Sequence, residues 1–186
     1  MNYYVLAGGK SSRMRQNKAL LKINGETLIE RVISAIPGEK ESIKIVTNSP
    51  DEYVFLGYRT ISDIFPHLGP ISGVHAGLVD SPLLYNFFLA CDLPFISEAV
   101  IQTVQEKHTD QDILGLRSRR GLEPLCAVYS KRCIPLIEKQ IKRGQHSLHS
   151  LFELVKSDFI QVSDQKALAN LNTPQDWRQY LNNSTD

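Results

Sequence analysis

The N-terminal half of the chain alternates short apolar runs with segments whose apolar residues recur at helical spacing. The runs predict buried strands over residues 3–6, 42–47, 60–63 and 85–91. Between them, helical spacing predicts helices over residues 26–36, 69–79 and 97–107, the last capped by Ser97. Strand and helix in alternation predict an α/β protein, Rossmann-like, in which helices cover both faces of a mostly parallel sheet in three layers.

The C-terminal half continues this pattern less regularly. Strands are predicted over residues 112–116, 125–129 and 159–162, with a polar loop over 117–123 between the first two. Helices are predicted over residues 133–141, after a capping Ser147, and after Thr173-Pro174. No linker or repeat divides the 186 residues, so we expect one domain over residues 1–186.

The first strand runs into a loop rich in small and basic residues. Ala7-Gly8-Gly9 follows the strand directly, and hydroxyl or cationic donors then stand at positions 11, 12, 13, 15 and 18, with no carboxylate before Glu26. Backbone N–H groups and fixed cations in such a loop are suited to binding phosphate. The spacing excludes a Walker loop, because Asn17 rather than glycine precedes Lys18, and it excludes the G-x-G-x-x-G dinucleotide fingerprint.

This stretch resembles the signature of the molybdopterin guanylyltransferases, approximately L-A-G-G-x-S-x-R-M-G-x-x-K-A-L. The chain departs from it at Arg15, where the pattern has glycine, and we expect Arg15 to adopt an ordinary backbone conformation. The matching residues are Leu6, Ala7, Gly8, Gly9, Ser11, Arg13, Met14, Lys18, Ala19 and Leu20. The resemblance implies the nucleotide-diphospho-sugar transferase fold, with Leu6, Ala7, Gly8, Gly9 and Lys18 binding nucleotide and with Arg13 and Lys18 acting on its phosphates.

Polar residues follow each predicted parallel strand. Ligands of such sheets bind beyond the carboxyl ends of the strands, so Ala7-Gly8, Asn48, Asp63 and Asp92 should converge on one crevice. Asp92 follows the most apolar strand, and one carboxylate together with phosphate oxygens is a common way to hold Mg²⁺. Its Cys-Asp-Leu-Pro context resembles the family's C-D-x-P element, which implies a metal-binding and catalytic role. The alternative is that Asp92 caps the following helix.

Asp63, with the Gly-Pro-Ile-Ser-Gly segment that starts at Gly69, resembles the family's purine-recognition element. A carboxylate matches the N1–H and N2–H₂ donors of guanine. Asn48 stands where the family also contacts nucleotide. The alternatives are a turn acid before a helix for Asp63 and an Asx turn for Asn48.

Three later segments extend the resemblance over nearly the whole chain. They are residues 123–129 (Glu-Pro-Leu-Cys-Ala-Val-Tyr), Ser147-Leu148, and residues 170–176 (Asn-Leu-Asn-Thr-Pro-Gln-Asp). In the family these segments face a pterin that carries a terminal phosphate, which implies that Asn170 and Asn172 bind this second substrate. The resemblance thus assigns GTP to the N-terminal part of the domain and molybdopterin to the C-terminal part, with Arg117, Arg119 and Arg120 as further cations.

The charge and cysteine content of the chain limit the classes of molecule that it is expected to bind. With 21 basic and 20 acidic residues the net charge is +1, so no overall field favours nucleic acid or a membrane surface. Three cysteines without a C-x-x-C spacing, and no apolar run of membrane-spanning length, predict a cytoplasmic protein with reduced thiols. The resemblance also implies contacts with other molybdenum-cofactor biosynthesis proteins or with recipient molybdoenzymes.

Three functions are open at this point. The first is transfer of GMP from GTP to the terminal phosphate of molybdopterin, with Mg²⁺ as cofactor. The second, on the same fold, is cytidylyl transfer to molybdopterin or to a sugar or alditol phosphate. The third is a non-catalytic protein that binds GTP or cofactor, which Lys18 and Asp92 argue against because both chemically active positions are retained.

Overall fold

The computed structural model describes residues 1–8, 17–162 and 167–169. Its first half contains the strands β1 (Asn2–Leu6), β2 (Lys22–Ile23), β3 (Glu26–Thr27), β4 (Ile43–Val46), β5 (Arg59–Ile61) and β6 (Tyr85–Ala90). The helices are α1 (Leu28–Ser34), α2 (Pro70–Asp80) and α3 (Glu98–Lys107), with 3-10 helices at Lys18–Leu20, Lys40–Ser42 and Pro50–Leu56. The second half contains β7 (Ile113–Ser118), β8 (Gly121–Ser130), a 3-10 helix at Lys131–Cys133, α4 (Ile134–Lys142), α5 (Leu148–Phe152) and β9 (Ser157–Gln161).

Seven of these strands form one sheet in the order β5-β4-β1-β6-β8-β7-β9. β1 pairs in parallel with both β4 and β6, and β4 pairs in parallel with β5. β8 is antiparallel to its two neighbours, β6 and β7, and β9 is parallel to β7. The mostly parallel sheet predicted from the sequence is confirmed, and its four N-terminal strands form an uninterrupted parallel block.

Most of the core consists of two layers of apolar side chains, one on each face of the sheet, and a small third cluster contains Ile23 and Leu28. Alternation along β1 sends Tyr3 and Val5 to one face and Tyr4 and Leu6 to the other. Helices α1 and α3 cover the first face, and α2, α4 and α5 cover the second. This is the predicted α/β/α arrangement. Every helix among the described residues is too short or too polar to span a bilayer.

Helix α2 packs very closely on the sheet, as its small residues predict. A Cβ built on Gly77 would lie 2.6 Å from Phe88 Cε1 and 2.9 Å from Tyr4 Cδ1, and one on Gly73 would lie 2.9 Å from Leu6 Cδ2. Tyr4 and Phe88 are fully buried, so neither ring has room to withdraw. Glycine is therefore required here for packing, and the same contacts fix α2 beside the carboxyl ends of β1 and β4.

Several predicted details are wrong. The helix expected over 26–36 begins only at Leu28, because Glu26 and Thr27 pair with β2 and Thr27 forms a capping box with Glu30. The polar loop expected over 117–123 is mostly strand, since β7 and β8 extend to a two-residue turn at Arg119 and Arg120. Ser97 and Ser147 occupy N-cap positions, but neither side chain makes a capping hydrogen bond.

Candidate active site

The residues predicted to converge do lie along one edge of the sheet. β5, β4, β1 and β6 are adjacent and parallel, so Asp63, Asn48, Gly8 and Asp92 follow strand ends that point the same way. Hydrogen bonds hold the chain in register just past the strands: Ala7 N–H donates to Val46 O (2.9 Å), Thr47 N–H to Ile61 O (2.8 Å) and Cys91 N–H to Leu6 O (3.2 Å). A rigid sheet edge therefore positions the candidate site.

Lys18 and Asp92 form an ion pair at the centre of this edge. Lys18 Nζ lies 2.8 Å from Asp92 Oδ2, and their side chains are only 13% and 19% exposed. Asp92 lies two residues past the end of β6, and helix α3 begins only at Glu98, so the alternative that Asp92 caps this helix is wrong. The fold thus brings a cation and a carboxylate that are 74 residues apart into a shared, sheltered position.

Asn48 and Asp63 form a second pair, toward the β5 side of the same edge. Asn48 Nδ2 donates to Asp63 Oδ2 (2.9 Å), and the Asp63 backbone N–H donates to Asn48 Oδ1 (3.0 Å). The amide side chain of Asn48 therefore bridges to the next strand end and orients the carboxylate. The second carboxylate oxygen of Asp63 provides further positions for accepting hydrogen bonds.

The environment of Asp63 changes its acidity. Burial raises the pKa of the Asp63 carboxyl above its ordinary value, and the hydrogen bond from Asn48 and the charge of His67 oppose this shift in part. Partial burial also strengthens any hydrogen bond that the carboxylate accepts, because the local dielectric constant is lower than that of water.

Leu6, Ala7 and Gly8 occupy the end of β1 in different ways. Leu6 and Ala7 are each 7% exposed, and their side chains belong to the two core layers, so only their backbone can contact a ligand. Gly8 is exposed, and a Cβ built on it would meet nothing among the described residues closer than Val46 O at 4.0 Å. Its φ angle is not positive, so the folded chain itself has no evident need for glycine at this position.

Two further titratable side chains interact electrostatically with Asp92. Glu123 is partly buried and accepts a hydrogen bond from Ser118 Oγ (3.0 Å); burial raises its pKa, and the nearby negative charge of Asp92 adds to the rise. Burial, assisted by Asp92, raises the pKa of the Cys91 thiol to about 12. Cys91 is therefore a neutral thiol at physiological pH and no candidate nucleophile. Like Cys126 and Cys133, it is not part of a disulfide.

The donor set at Asp92 is compatible with a nucleotide-bound divalent cation. Within the described ranges, no group of three or more His, Cys, Asp or Glu side chains could hold a metal by itself. Mg²⁺, however, commonly takes one or two carboxylates and completes its shell with phosphate oxygens and water. Asp92, with the charge of Glu123 nearby, fits that pattern.

Sequence reasoning missed two residues that shape this edge. Asn17 caps the 3-10 helix that begins with Lys18, accepting from Ala19 N–H (3.1 Å), and Tyr53 donates to the carbonyl of Ala7 (2.9 Å). Tyr53 lies in a short apolar run, where nothing in the pattern distinguishes it from a packing residue. Other assigned positions lie outside the described residues: Gly9, Arg13, Arg15, Asn170, Asn172 and the helix predicted from Thr173.

Comparison with known proteins identifies the family. Residues 3–162 match the model of the MobA-like NTP transferase domain. The chain belongs to this family. It is 40% identical over 145 residues to a protein of Clostridium perfringens named probable molybdenum cofactor guanylyltransferase, covering 77% of this chain and 73% of that one. It is 36% identical to the molybdenum cofactor guanylyltransferase of Desulfosudis oleivorans, covering 82% and 76%.

Solved structures support the same fold. Molybdopterin-guanine dinucleotide biosynthesis protein A from Archaeoglobus fulgidus superimposes with a TM-score of 0.83 at 22% identity, over 100% of this chain and 99% of that one. A nucleotidyl transferase from Methanothermobacter gives a TM-score of 0.78 at 18% identity, over 100% and 98%. The nucleotide-diphospho-sugar transferase fold expected for this family is thereby confirmed.

Proposed function

We propose that this protein transfers GMP from GTP to the terminal phosphate of molybdopterin, which forms the molybdopterin guanine dinucleotide and releases pyrophosphate. The observation that carries the proposal is the pair of contacts on one sheet edge, Lys18–Asp92 and Asn48–Asp63. A site for charged phosphates and a site for a base with paired donors then lie on neighbouring strand ends, in a chain whose sequence relatives bear the name guanylyltransferase.

In this proposal the triphosphate lies against the loop that begins with Gly8, and guanine donates N1–H and N2–H₂ to the Asp63 carboxylate. Asn48 holds that carboxylate in place through the two hydrogen bonds described above. An adenine edge lacks this pair of adjacent donors and would leave the partly buried carboxylate with only its hydrogen bond from Asn48, at a cost of about 1–3 kcal/mol. Asp63 is therefore the proposed source of base selectivity.

The chemical step needs no covalent enzyme intermediate. An oxygen of the pterin phosphate attacks the α-phosphorus of GTP, opposite the oxygen that bridges the α- and β-phosphorus atoms. As the new bond forms, the bond between the α-phosphorus and this bridging oxygen breaks, and pyrophosphate leaves. Lys18, together with Arg13, would neutralise charge that develops on the phosphates. Asp92 would hold Mg²⁺, which supplies further charge neutralisation when bound. Catalysis then consists of positioning and electrostatic stabilisation.

The remaining assignments follow from the same proposal. Asn170 and Asn172 would contact the pterin, so that the N-terminal part of the single domain binds GTP and the C-terminal part binds the second substrate. A cytoplasmic location, and transfer of the product to other biosynthesis proteins or to recipient molybdoenzymes, stay predictions.

The decisive experiment measures nucleotide choice and turnover together. Purified protein is titrated with GTP, CTP and ATP in the presence of Mg²⁺, and thermal stabilisation is recorded. A ligand at 100 times its dissociation constant should stabilise the fold by about 2.7 kcal/mol. Pyrophosphate release is then measured with molybdopterin. We expect GTP to stabilise most and to support turnover; an equal or larger effect of CTP would favour the cytidylyltransferase alternative, and binding without turnover would favour the non-catalytic one.

A further inference from the structure

Tyr53 occupies an unusual position beneath the candidate site. It lies in the 3-10 helix Pro50–Leu56, which follows β4, and it is the one residue of that helix that is fully buried, at 0% exposure. Its ring is part of the core layer that also contains Ala7 and Ala19. A packing role would be satisfied by phenylalanine, so the hydroxyl group is the feature that needs an explanation.

The Tyr53 hydroxyl contacts Ala7 and Asn17, the two residues on either side of the predicted phosphate-binding loop over residues 8–16. It donates to the backbone carbonyl of Ala7 (2.9 Å), and the side-chain amide of Asn17 donates to it (2.9 Å). Ala7 is the last residue before Gly8, and Asn17 is the last before Lys18. Burial raises the pKa of the phenol to about 12, so at neutral pH the group keeps the proton that it donates.

Asn17 transmits this anchoring to Lys18. Its Oδ1 accepts from Ala19 N–H and so caps the 3-10 helix Lys18–Leu20, while its Nδ2 donates to Glu52 Oε2 (2.6 Å) as well as to Tyr53. Lys18, the first residue of that helix, reaches Asp92 at 2.8 Å. A continuous set of contacts therefore runs from the Tyr53 hydroxyl through Asn17 to the base of the Lys18 side chain.

We propose that Tyr53 is a positioning residue for nucleotide transfer, whose hydroxyl fixes both ends of the phosphate-binding loop and directs Lys18 toward Asp92. The inference rests on the proposed function, since the loop ends matter for turnover only if the loop holds the triphosphate. When the backbone at Ala7 and Asn17 is held in place before a ligand binds, these residues lose less conformational entropy on binding. Small displacements of a charged group from its reacting position also lower the rate steeply.

The test compares two buried tyrosines. Tyr53→Phe removes the hydroxyl and keeps the ring. Tyr4→Phe is the matched control, because Tyr4 is also fully buried and donates one hydrogen bond, to Asp80 Oδ2 (3.0 Å), away from the loop. Asn17→Ser breaks the same contact from the other side, since serine is a favourable N-cap residue but is too short to reach Tyr53 or Glu52. The Tyr53→Phe/Asn17→Ser double variant completes a cycle.

We expect kcat/KM for GTP to fall about tenfold or more in Tyr53→Phe and in Asn17→Ser. In the double variant the loss should be smaller than the product of the two single losses, because both substitutions remove the same Tyr53–Asn17 hydrogen bond. Tyr4→Phe should stay within about twofold of the wild type even if it loses comparable thermal stability. Wild-type constants in Tyr53→Phe, or effects that multiply in the double variant, would overturn the proposal. If Tyr53→Phe does not fold, Asn17→Ser decides alone.

The two proposals fail in distinguishable ways. If the wild type shows no turnover with GTP and molybdopterin, the proposed function fails. The GTP affinity of the same variants, measured by titration calorimetry, still tests whether the hydroxyl positions a nucleotide loop. If the wild type turns over normally and Tyr53→Phe does too, only the role of Tyr53 is refuted.

Discussion

Replacing Gly8 by alanine should raise the stability of the protein and weaken its binding of GTP. Gly8 does not have a positive φ, and the added Cβ would lie 4.0 Å from Val46 O, an ordinary van der Waals distance, with no closer neighbour among the described residues. An alanine that fits the native backbone stabilises by about 0.4–1 kcal/mol, because the unfolded chain has less conformational freedom to lose. For a chain of this size that corresponds to a rise in Tm of roughly 1–4 °C.

Ligand binding should change in the opposite direction. Glycine at the end of a strand allows a ligand to approach the backbone closely, and a methyl group would stand in that path. We expect the Kd for GTP to rise about tenfold, which corresponds to about 1.4 kcal/mol. Thermal unfolding with and without GTP and Mg²⁺, together with titration calorimetry, measures both quantities on one preparation.

Gly77→Ala is the control, because its Cβ would lie 2.6 Å from the ring of the fully buried Phe88. Overpacking of this kind costs about 1–3 kcal/mol, so its Tm should fall while the folded protein keeps its GTP affinity. The reasoning about Gly8 is refuted if Gly8→Ala binds GTP as tightly as the wild type, since the phosphates would then not pass this residue. A fall of several degrees in Tm would show that the structural account of Gly8 is wrong.

Three further predictions concern the charged residues. Asp92→Asn should keep the fold but lose a factor of about 10²–10³ in pyrophosphate release at saturating GTP and Mg²⁺, and a near-normal rate would refute its role. Lys18→Arg should recover only part of the activity lost in Lys18→Ala in the same assay, because a planar guanidinium cannot replace a compact ammonium group. Burial raises the pKa of Asp63, so GTP affinity should weaken as the pH falls through the raised pKa and the carboxylate that accepts from guanine is protonated. The stability of the free protein should change in the opposite sense, because the folded state no longer has to keep a partly buried carboxylate ionised. Calorimetry at several pH values should show this dependence in the wild type and not in Asp63→Asn.

Local pattern was sufficient for the order of the main strands and helices and for placing several candidate residues at one edge of the sheet. Apolar runs such as residues 85–91 identify buried strands, and a polar residue directly after each run identifies the ligand-binding edge, because parallel strands expose their carboxyl ends together. The positions of Asp63 and Asp92 at that edge were predictable for this reason. The start of α1 was predicted wrongly: Glu26 and Thr27 pair with β2 across the two-residue turn Asn24-Gly25, in which both residues have positive φ. An Asn-Gly turn is a local hairpin signal, so this error lies in the interpretation of the pattern and not in missing tertiary information.

Pairing between side chains that are far apart in the chain was decided only by the tertiary structure. The sequence places Lys18 in a basic loop and Asp92 after a strand, but the sheet order that sets β1 beside β6 creates the 2.8 Å ion pair between them. The same holds for Asn48 and Asp63, which the parallel pairing of β4 and β5 brings together.

Tyr53 marks the limit of reading a sequence alone. The sequence by itself determined where the strands end, because this depends on local periodicity. It also determined which side chains stand at those ends, and therefore which ligands they could bind. Whether a buried tyrosine serves packing or anchors two distant backbone positions depends on what its hydroxyl group meets. Only the folded chain brings Ala7 and Asn17 to that oxygen. The position of the 3-10 helix Pro50–Leu56 sets the distances from the Tyr53 hydroxyl to both residues, and no local sequence pattern encodes these distances.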